Sequence, residues 1–153
     1  TIVAVGQKLP AWAQTAVDDY LARFPRDFTV IVKEVKAEAR TGGKPVAQVM
    51  ASEAERIERA VPAGDILVAM DEHGRDMTTV DFSKKISGWK NEGCGVTFII
   101  GGADGLDPAL KAKSRMMLRL SSMTLPHAFA RVLLTEQIYR AWSILANHPY
   151  HRV

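Results

Sequence analysis

The chain has 153 residues, 47 % hydrophobic and 24 % charged, with 11 Gly and 7 Pro, which fits one domain with one core and excludes a disordered, collagenous or low-complexity polymer. A single Cys94 excludes a disulfide framework, and no apolar run reaches membrane-spanning length. The formal charge of +3 is small but uneven: residues 1–107 hold 13 Lys/Arg against 16 Asp/Glu, whereas 108–153 hold 7 against the lone Glu136. The carboxyl-terminal third is therefore where a polyanionic partner is expected.

The opening run TIVAVG (1–6) reads as a buried strand ended by glycine. No charged segment followed by an apolar run precedes it as in a signal peptide, so a cytoplasmic, soluble protein is expected. Pro10 suits the first turn of a helix whose face carries Trp12, Ala13, Ala16, Val17, Tyr20 and Leu21, and Pro25 stops it. Phe28–Val35 is a second strand, and Lys36–Pro45, with Thr41, Gly42 and Gly43, reads as a mobile loop. Val46–Val61 is an amphipathic helix with Val46, Val49, Met50, Ala54, Ile57 and Val61 inward and Glu53, Glu55, Arg56, Glu58 and Arg59 mostly outward.

Asp65–Met70 is a third strand and Asp71–Met77 a polar turn. Thr78 or Thr79 caps a helix running through Phe82, Ile86 and Trp89 to Gly93. Gly95–Ile100 is a fourth, almost wholly apolar strand, followed at once by GGADGLD (101–107). A short helix from Pro108, a fifth strand near Met116–Ser122, the segment TLPH (124–127), a long helix over Ala128–Ala146 and the ending NHPYHRV complete the chain. Strands alternate with helices and read as continuous apolar runs. That pattern predicts a single doubly wound α/β domain, its mainly parallel sheet covered by helices on both faces.

In such a sheet ligands bind beyond the carboxyl ends of the strands. Gly101-Gly102 lets backbone approach a ligand closely, though a plain tight turn needs the same glycines. The run is neither a P-loop nor a dinucleotide fingerprint. Ser121, Ser122 and Thr124 read as loop and capping residues, and no nucleophile elbow is present. His148 and His151 lie three apart, but Pro149 interrupts a helix there and no further ligand completes a set, so no metal site is expected. The ending groups His148, Tyr150, His151 and Arg152, the stacking rings and donors that an unstacked base and its phosphates would meet. The last helix is apolar around much of its girth, which suggests burial by its own sheet and by a second subunit.

Taken together, IGGADGL (100–106), LSSMTLPH (120–127), RVLLTEQIYRAW (131–142) and NHPYHR (147–152) resemble, in order and separation, the RlmH (YbeA-type) methyltransferases of the SPOUT class. VAVGQKLPAW (3–12) and MDEHGRDMTT (70–79) match as well, so the resemblance spans essentially the whole chain. It implies a trefoil knot near the carboxyl end and a homodimer that uses S-adenosylmethionine. It also implies methylation of N3 of a pseudouridine in helix 69 of 23S ribosomal RNA on the assembled ribosome. Carried over residue by residue, it implies a cofactor pocket of Met70, Gly101, Gly102, Gly105, Leu120, Ser121, Ser122, Met123, Thr124 and Leu125. The RNA-facing set is Arg140, His148, Tyr150, His151 and Arg152, of which Tyr150, His151 and Arg152 are the catalytic candidates. Departures are Met70 for Leu, Ala103-Asp104 for Pro-Glu, Arg75 for Lys and Thr78-Thr79 for Ser-Ser; they keep polarity and approximate size. A non-catalytic nucleotide- or RNA-binding α/β module, or a small flavodoxin-like protein, accounts for the composition but not for LSSMTLPH and NHPYHR together.

Overall fold

The computed structural model describes residues 1–6 and 8–152. Five strands, β1 (Ile2–Val5), β2 (Val32–Val35), β3 (Ile66–Arg75), β4 (Val96–Ile100) and β5 (Met116–Leu118), form one parallel sheet in the order β2-β1-β4-β3-β5. Five α-helices cover it: α1 (Ala11–Arg23), α2 (Val46–Ala60), α3 (Thr79–Asn91), α4 (Pro108–Lys113) and α5 (His127–Leu145). Successive side chains of a strand point to opposite faces, so a strand covered on both sides must be apolar throughout. On one face Ile2, Ala4, Val68, Phe98 and Ile100 pack against Phe82, Ile86 and Trp89 of α3 and Leu134, Ile138 and Ala141 of α5. On the other, Val3, Val5, Ala69 and Ile99 meet Ala54 and Ile57 of α2 and Leu106 and Leu110 beside α4. The doubly wound arrangement is thus present, with α1 laid against α5 through Ala13, Val17, Ala128 and Val132.

Four local differences from the pattern have physical causes. β2 begins at Val32 rather than Phe28: Ile31 still accepts from the Ile2 N–H, but Phe28 and Val30 are drawn onto the core instead of the ladder. β3 runs on through the polar stretch to Arg75, because after an irregularity Arg75 pairs with Leu118, where β5 already ends. Gly74 makes that approach possible, since a Cβ there would sit 2.7 Å from the Leu118 backbone. Glu53 is buried rather than outward, its carboxylate accepting the Glu38 N–H at 3.0 Å, while Val46 faces solvent. Trp12 is 51 % exposed and packs on Phe129 with ring centroids 4.8 Å apart, so it belongs to an outer apolar patch and not to the core. Among the described residues no helix is long and apolar enough to cross a membrane.

Candidate functional site

Register brings three strand ends together: Met70 stands opposite both Ile100 and Leu118. The loops that follow enclose two adjoining hollows of about 830 and 150 Å³, which share Met70, Asp71, Glu72, Ile100, Leu125 and Ala130 in their walls. Gly101, Gly102 and Gly105 line the larger hollow; Leu120, Ser121, Met123 and Thr124 line the smaller. Ser122 is exposed and borders neither. The glycine segment is a tight hairpin in which Gly105 N–H donates to the Gly102 carbonyl at 3.0 Å, with Gly105 at φ +83°. A Cβ on Gly102 would press on the buried Glu53 carboxylate at 3.0 Å. Asp107 closes the loop by accepting the Ala109 N–H at 2.8 Å and so caps α4. Ser121 Oγ accepts the Met123 N–H at 2.9 Å, which makes it a turn former.

Asp71 lines the larger hollow together with Glu72, Asp104 and Lys111. Burial pushes its carboxyl up, but the His73 N–H at 2.8 Å and Lys111 at 3.1 Å outweigh that and hold it below the usual carboxylate range. The segment 36–45 lies alongside: Ala37 lines the hollow, Arg40 pairs with Asp104 at 2.5 Å, and Glu38 takes both Lys44 and Arg56. These ties hold it to α2 and to the glycine loop.

The carboxyl-terminal set gathers elsewhere. Tyr150 donates to Glu136 at 3.0 Å and packs edge-on against Tyr139, with centroids 4.7 Å apart. Burial first, then hydrogen bonds with Tyr20 and Glu136, push its phenol well above the usual tyrosine range. Arg140, paired with Glu136 at 2.6 Å, lies over the Tyr150 ring and donates to the His151 carbonyl at 3.4 Å. Ser143 Oγ donates to the His148 carbonyl at 3.1 Å and lies 2.7 Å from His151 Nδ1. Arg152 is exposed in a left-handed conformation at φ 42°. Among the described residues, no cluster of His, Cys, Asp or Glu is arranged to hold a metal ion.

The structure therefore brings the cofactor candidates other than Ser122 together and the tail candidates together, but not the two sets. The groove touches the start of α5 through Leu125, His127 and Ala130, and the tail folds back on its end. The 19 residues of α5 span about 28 Å at 1.5 Å per residue.

Sequence reasoning misses a buried pair at the start of α5. Arg131, 2 % exposed, donates from Nε to His127 Nε2 at 2.8 Å and sits 3.2 Å from Glu34. The only signal in the sequence is a lone cation among apolar neighbours. Burial, and secondarily Arg131, hold the His127 imidazole below its ordinary 6.5, although Glu34 and the Gly101 carbonyl act the other way. The unfolded chain thus binds this proton more readily than the folded one, so stability rises with pH across that interval. Melting temperature is expected to fall as pH drops from 6.5 toward about 5, with the slope reduced in His127→Gln. Identical slopes in both proteins would refute it.

An α/β fold with a parallel sheet, a glycine hairpin and a groove at the carboxyl ends of its strands defines a class of doubly wound ligand-binding domain rather than a single activity. Comparison with known proteins narrows this: residues 1–151 match the family described as "Predicted SPOUT methyltransferase", and the chain belongs to that family. It is 54 % identical over 152 residues to the ribosomal RNA large subunit methyltransferase H of Ralstonia pickettii (strain 12J), covering 99 % of this chain and 97 % of that protein. The protein of the same name from Bordetella avium (strain 197N) is 55 % identical over 151 residues, with the same coverage. Among solved structures, a probable methylase family protein from Haemophilus influenzae Rd KW20 shares the fold, with TM-score 0.59 at 14 % identity over 95 % of this chain and 67 % of that one.

Proposed function

We propose that this chain is an S-adenosylmethionine-dependent methyltransferase of large-subunit ribosomal RNA. Its target is N3 of a pseudouridine in helix 69 of 23S RNA on the assembled ribosome, which places the protein in the cytoplasm. The observation that carries the reading is the convergence of Met70, the glycine hairpin and Leu120–Leu125 on one groove. These are the motif positions implied by the resemblance. Relatives over half identical along nearly their whole length are named for that class of reaction.

The groove fits the cofactor. Its volume suits a nucleoside-sized ligand, Met70, Leu120 and Leu125 supply apolar walls, and the glycine hairpin brings bare backbone to the wall of the larger hollow. S-adenosylmethionine supplies an already activated methyl group, so the chain's own work is binding, alignment, exclusion of water and management of one proton. That proton leaves a uracil-type N3–H. The Ser143 hydroxyl has one hydrogen, and with it on the His148 carbonyl the His151 ring donates from Nδ1. Nε2 of His151 then presents a lone pair, the atom that takes the proton in this reading. Arg152 stabilises the developing imide anion, and Tyr150, kept protonated, fixes the tail through Glu136.

A homodimer is part of the proposal. Tail and groove sit at opposite ends of α5, so one protomer cannot close its own site, whereas a two-fold partner with α5 reversed carries its tail to the groove. Trp12, Phe129 and Leu133, an exposed apolar patch on α1 and α5, are the surface offered for it. The knot implied by the resemblance belongs to the same reading: β5 pairs on the outer side of β3, yet α5 returns across the sheet to α1 and α3.

The test is transfer of labelled methyl to ribosomes lacking the modification, compared with free 23S RNA. Transfer to ribosomes is expected, and none to either substrate removes the assignment. Calorimetry with S-adenosylmethionine separates it from a non-catalytic RNA-binding module, which gives no heat.

A further inference from the structure

Two arginines lie over the Tyr150 ring, and their donors are used very differently. Arg140, from α5, has all three guanidinium nitrogens engaged within the protein. Its Nε and Nη2 meet Glu136 at 2.8 and 2.6 Å, and Nη1 donates to the His151 carbonyl at 3.4 Å. Glu136 also accepts from Tyr150 at 3.0 Å and from Gln137 at 2.8 Å, so Arg140 and its carboxylate form the hub that ties the tail to α5.

Arg23 reaches the same ring from the last turn of α1. Its guanidinium carbon lies 5.0 Å from the Tyr20 centroid, 5.8 Å from Tyr139 and 5.9 Å from Tyr150. Only Nη2 is used, donating to Asp19 at 2.8 Å; among the described residues Nε and Nη1 have no hydrogen-bond partner. The side chain is 41 % exposed, which leaves these donors within reach of an outside anion. An exposed pair four residues apart on a helix adds little to stability, so the Asp19 contact alone does not account for the placement. Lying over three rings fixes the plane of a delocalised cation while its edge keeps the donors.

The anion that accompanies an unstacked base is a phosphodiester, and arginine is suited to it by charge and by shape. We propose that Arg23 is a phosphate-binding residue beside the reactive tail, and that Arg140 is a positioning residue whose charge is matched internally by Glu136. The proposal rests on the RNA reading above. It moves to α1, in the acidic part of the chain, a contact that the resemblance implies for Arg140. Arg23 and Tyr150 belong to one chain, so Arg23 travels with the tail to whichever groove that tail completes.

Two double variants of unchanged formal charge separate a phosphate contact from net charge. Asp19→Asn with Arg23→Gln removes the α1 pair, and Glu136→Gln with Arg140→Gln removes the α5 pair. Binding to ribosomes lacking the modification is measured against potassium chloride at fixed magnesium. The slope of log Kd against log salt is expected to fall by about 1 in the α1 variant, with Kd about tenfold weaker at low salt. In the α5 variant the slope is expected to stay within about 0.2 of wild type, while the single-turnover rate drops about tenfold because the tail loses its ties. Asp19→Asn with Arg23→Lys is expected to restore the slope but not the full affinity, since a point charge releases the counterion without the planar fork. That rescue decides Arg23 without reference to the α5 variant.

A wild-type slope in Asp19→Asn with Arg23→Gln, or a slope lowered by about 1 in Glu136→Gln with Arg140→Gln, overturns the proposal. Wild-type protein that binds no ribosome removes the RNA reading and the proposal with it, whereas binding with unchanged slopes removes the proposal alone.

Discussion

With S-adenosylmethionine held near its wild-type Kd, mixing a groove-defective variant with a tail-defective one is expected to restore methyl transfer to about a quarter of the wild-type rate, although each alone gives about a fiftieth or less. Gly101→Ala damages the hairpin, and a His151→Ala, Arg152→Ala double variant removes the tail's chemistry. If each site takes its groove from one protomer and its tail from the other, a mixed dimer contains one site with both defects and one with neither. Random exchange makes about half of the dimers mixed, and each of those has one working site of two, hence the quarter. Mixed dimers isolated with two different affinity tags should reach about half. Should groove and tail work within one chain, every mixed dimer has two broken sites and no activity returns. The physical basis is the run of α5: Ala130 at the groove and Arg140 and Ser143 under the tail are about 15–20 Å apart along the helix at 1.5 Å per residue. A monomer mass by light scattering at micromolar concentration would count against the same picture.

The sheet was the most legible part of this chain because burial on both faces leaves a sequence no freedom. IVAV, ILVAM and VTFII have to be almost wholly apolar to sit at β1, β3 and β4 between two helical layers, and they are, the one buried exception being Thr97, whose hydroxyl donates to Asp65 at 2.7 Å. The groove was legible for a related reason: a loop made of Gly101, Gly102 and Gly105 directly after a central strand can hardly be elsewhere than at its carboxyl end. Charged residues were where reading failed. Glu53 looks like one more outward charge on α2, and Arg131 like a cation on an apolar helix. Each is buried beside a partner from another element: the Glu38 backbone for one, Glu34 for the other, which His127 also meets from one turn away. Periodicity reports which face of a helix is apolar; it carries no information about a single polar group that finds its partner only after folding. Trp12 failed the opposite way, since an aromatic on an amphipathic stripe lies here at the edge of the core, against Phe129.

The severest single change expected is Gly101→Ala. A Cβ at this position would lie 2.5 Å from the carbonyl carbon of Gly105, 2.7 Å from its oxygen and 2.8 Å from Leu106 N. All three are backbone atoms, so no side chain can swing away to relieve the overlap. The far side of the hairpin cannot retreat either. Leu106 is a fully packed member of the core beneath α2 and α4, and Asp107 is committed to capping α4. The displacement therefore goes into residues 101–105, where the groove offers its bare backbone. Misplacing two or three backbone hydrogen bonds costs about 3 kcal/mol, a loss of roughly a hundredfold in affinity for S-adenosylmethionine. Gly88→Ala is the matched control. It sits within α3, and a Cβ there would meet nothing within 4 Å, so alanine should leave binding unchanged and stabilise the helix by roughly 0.5–1 kcal/mol. Calorimetric titration of the two variants decides the matter: wild-type affinity in Gly101→Ala would mean that the hairpin is a plain turn and that the cofactor lies elsewhere.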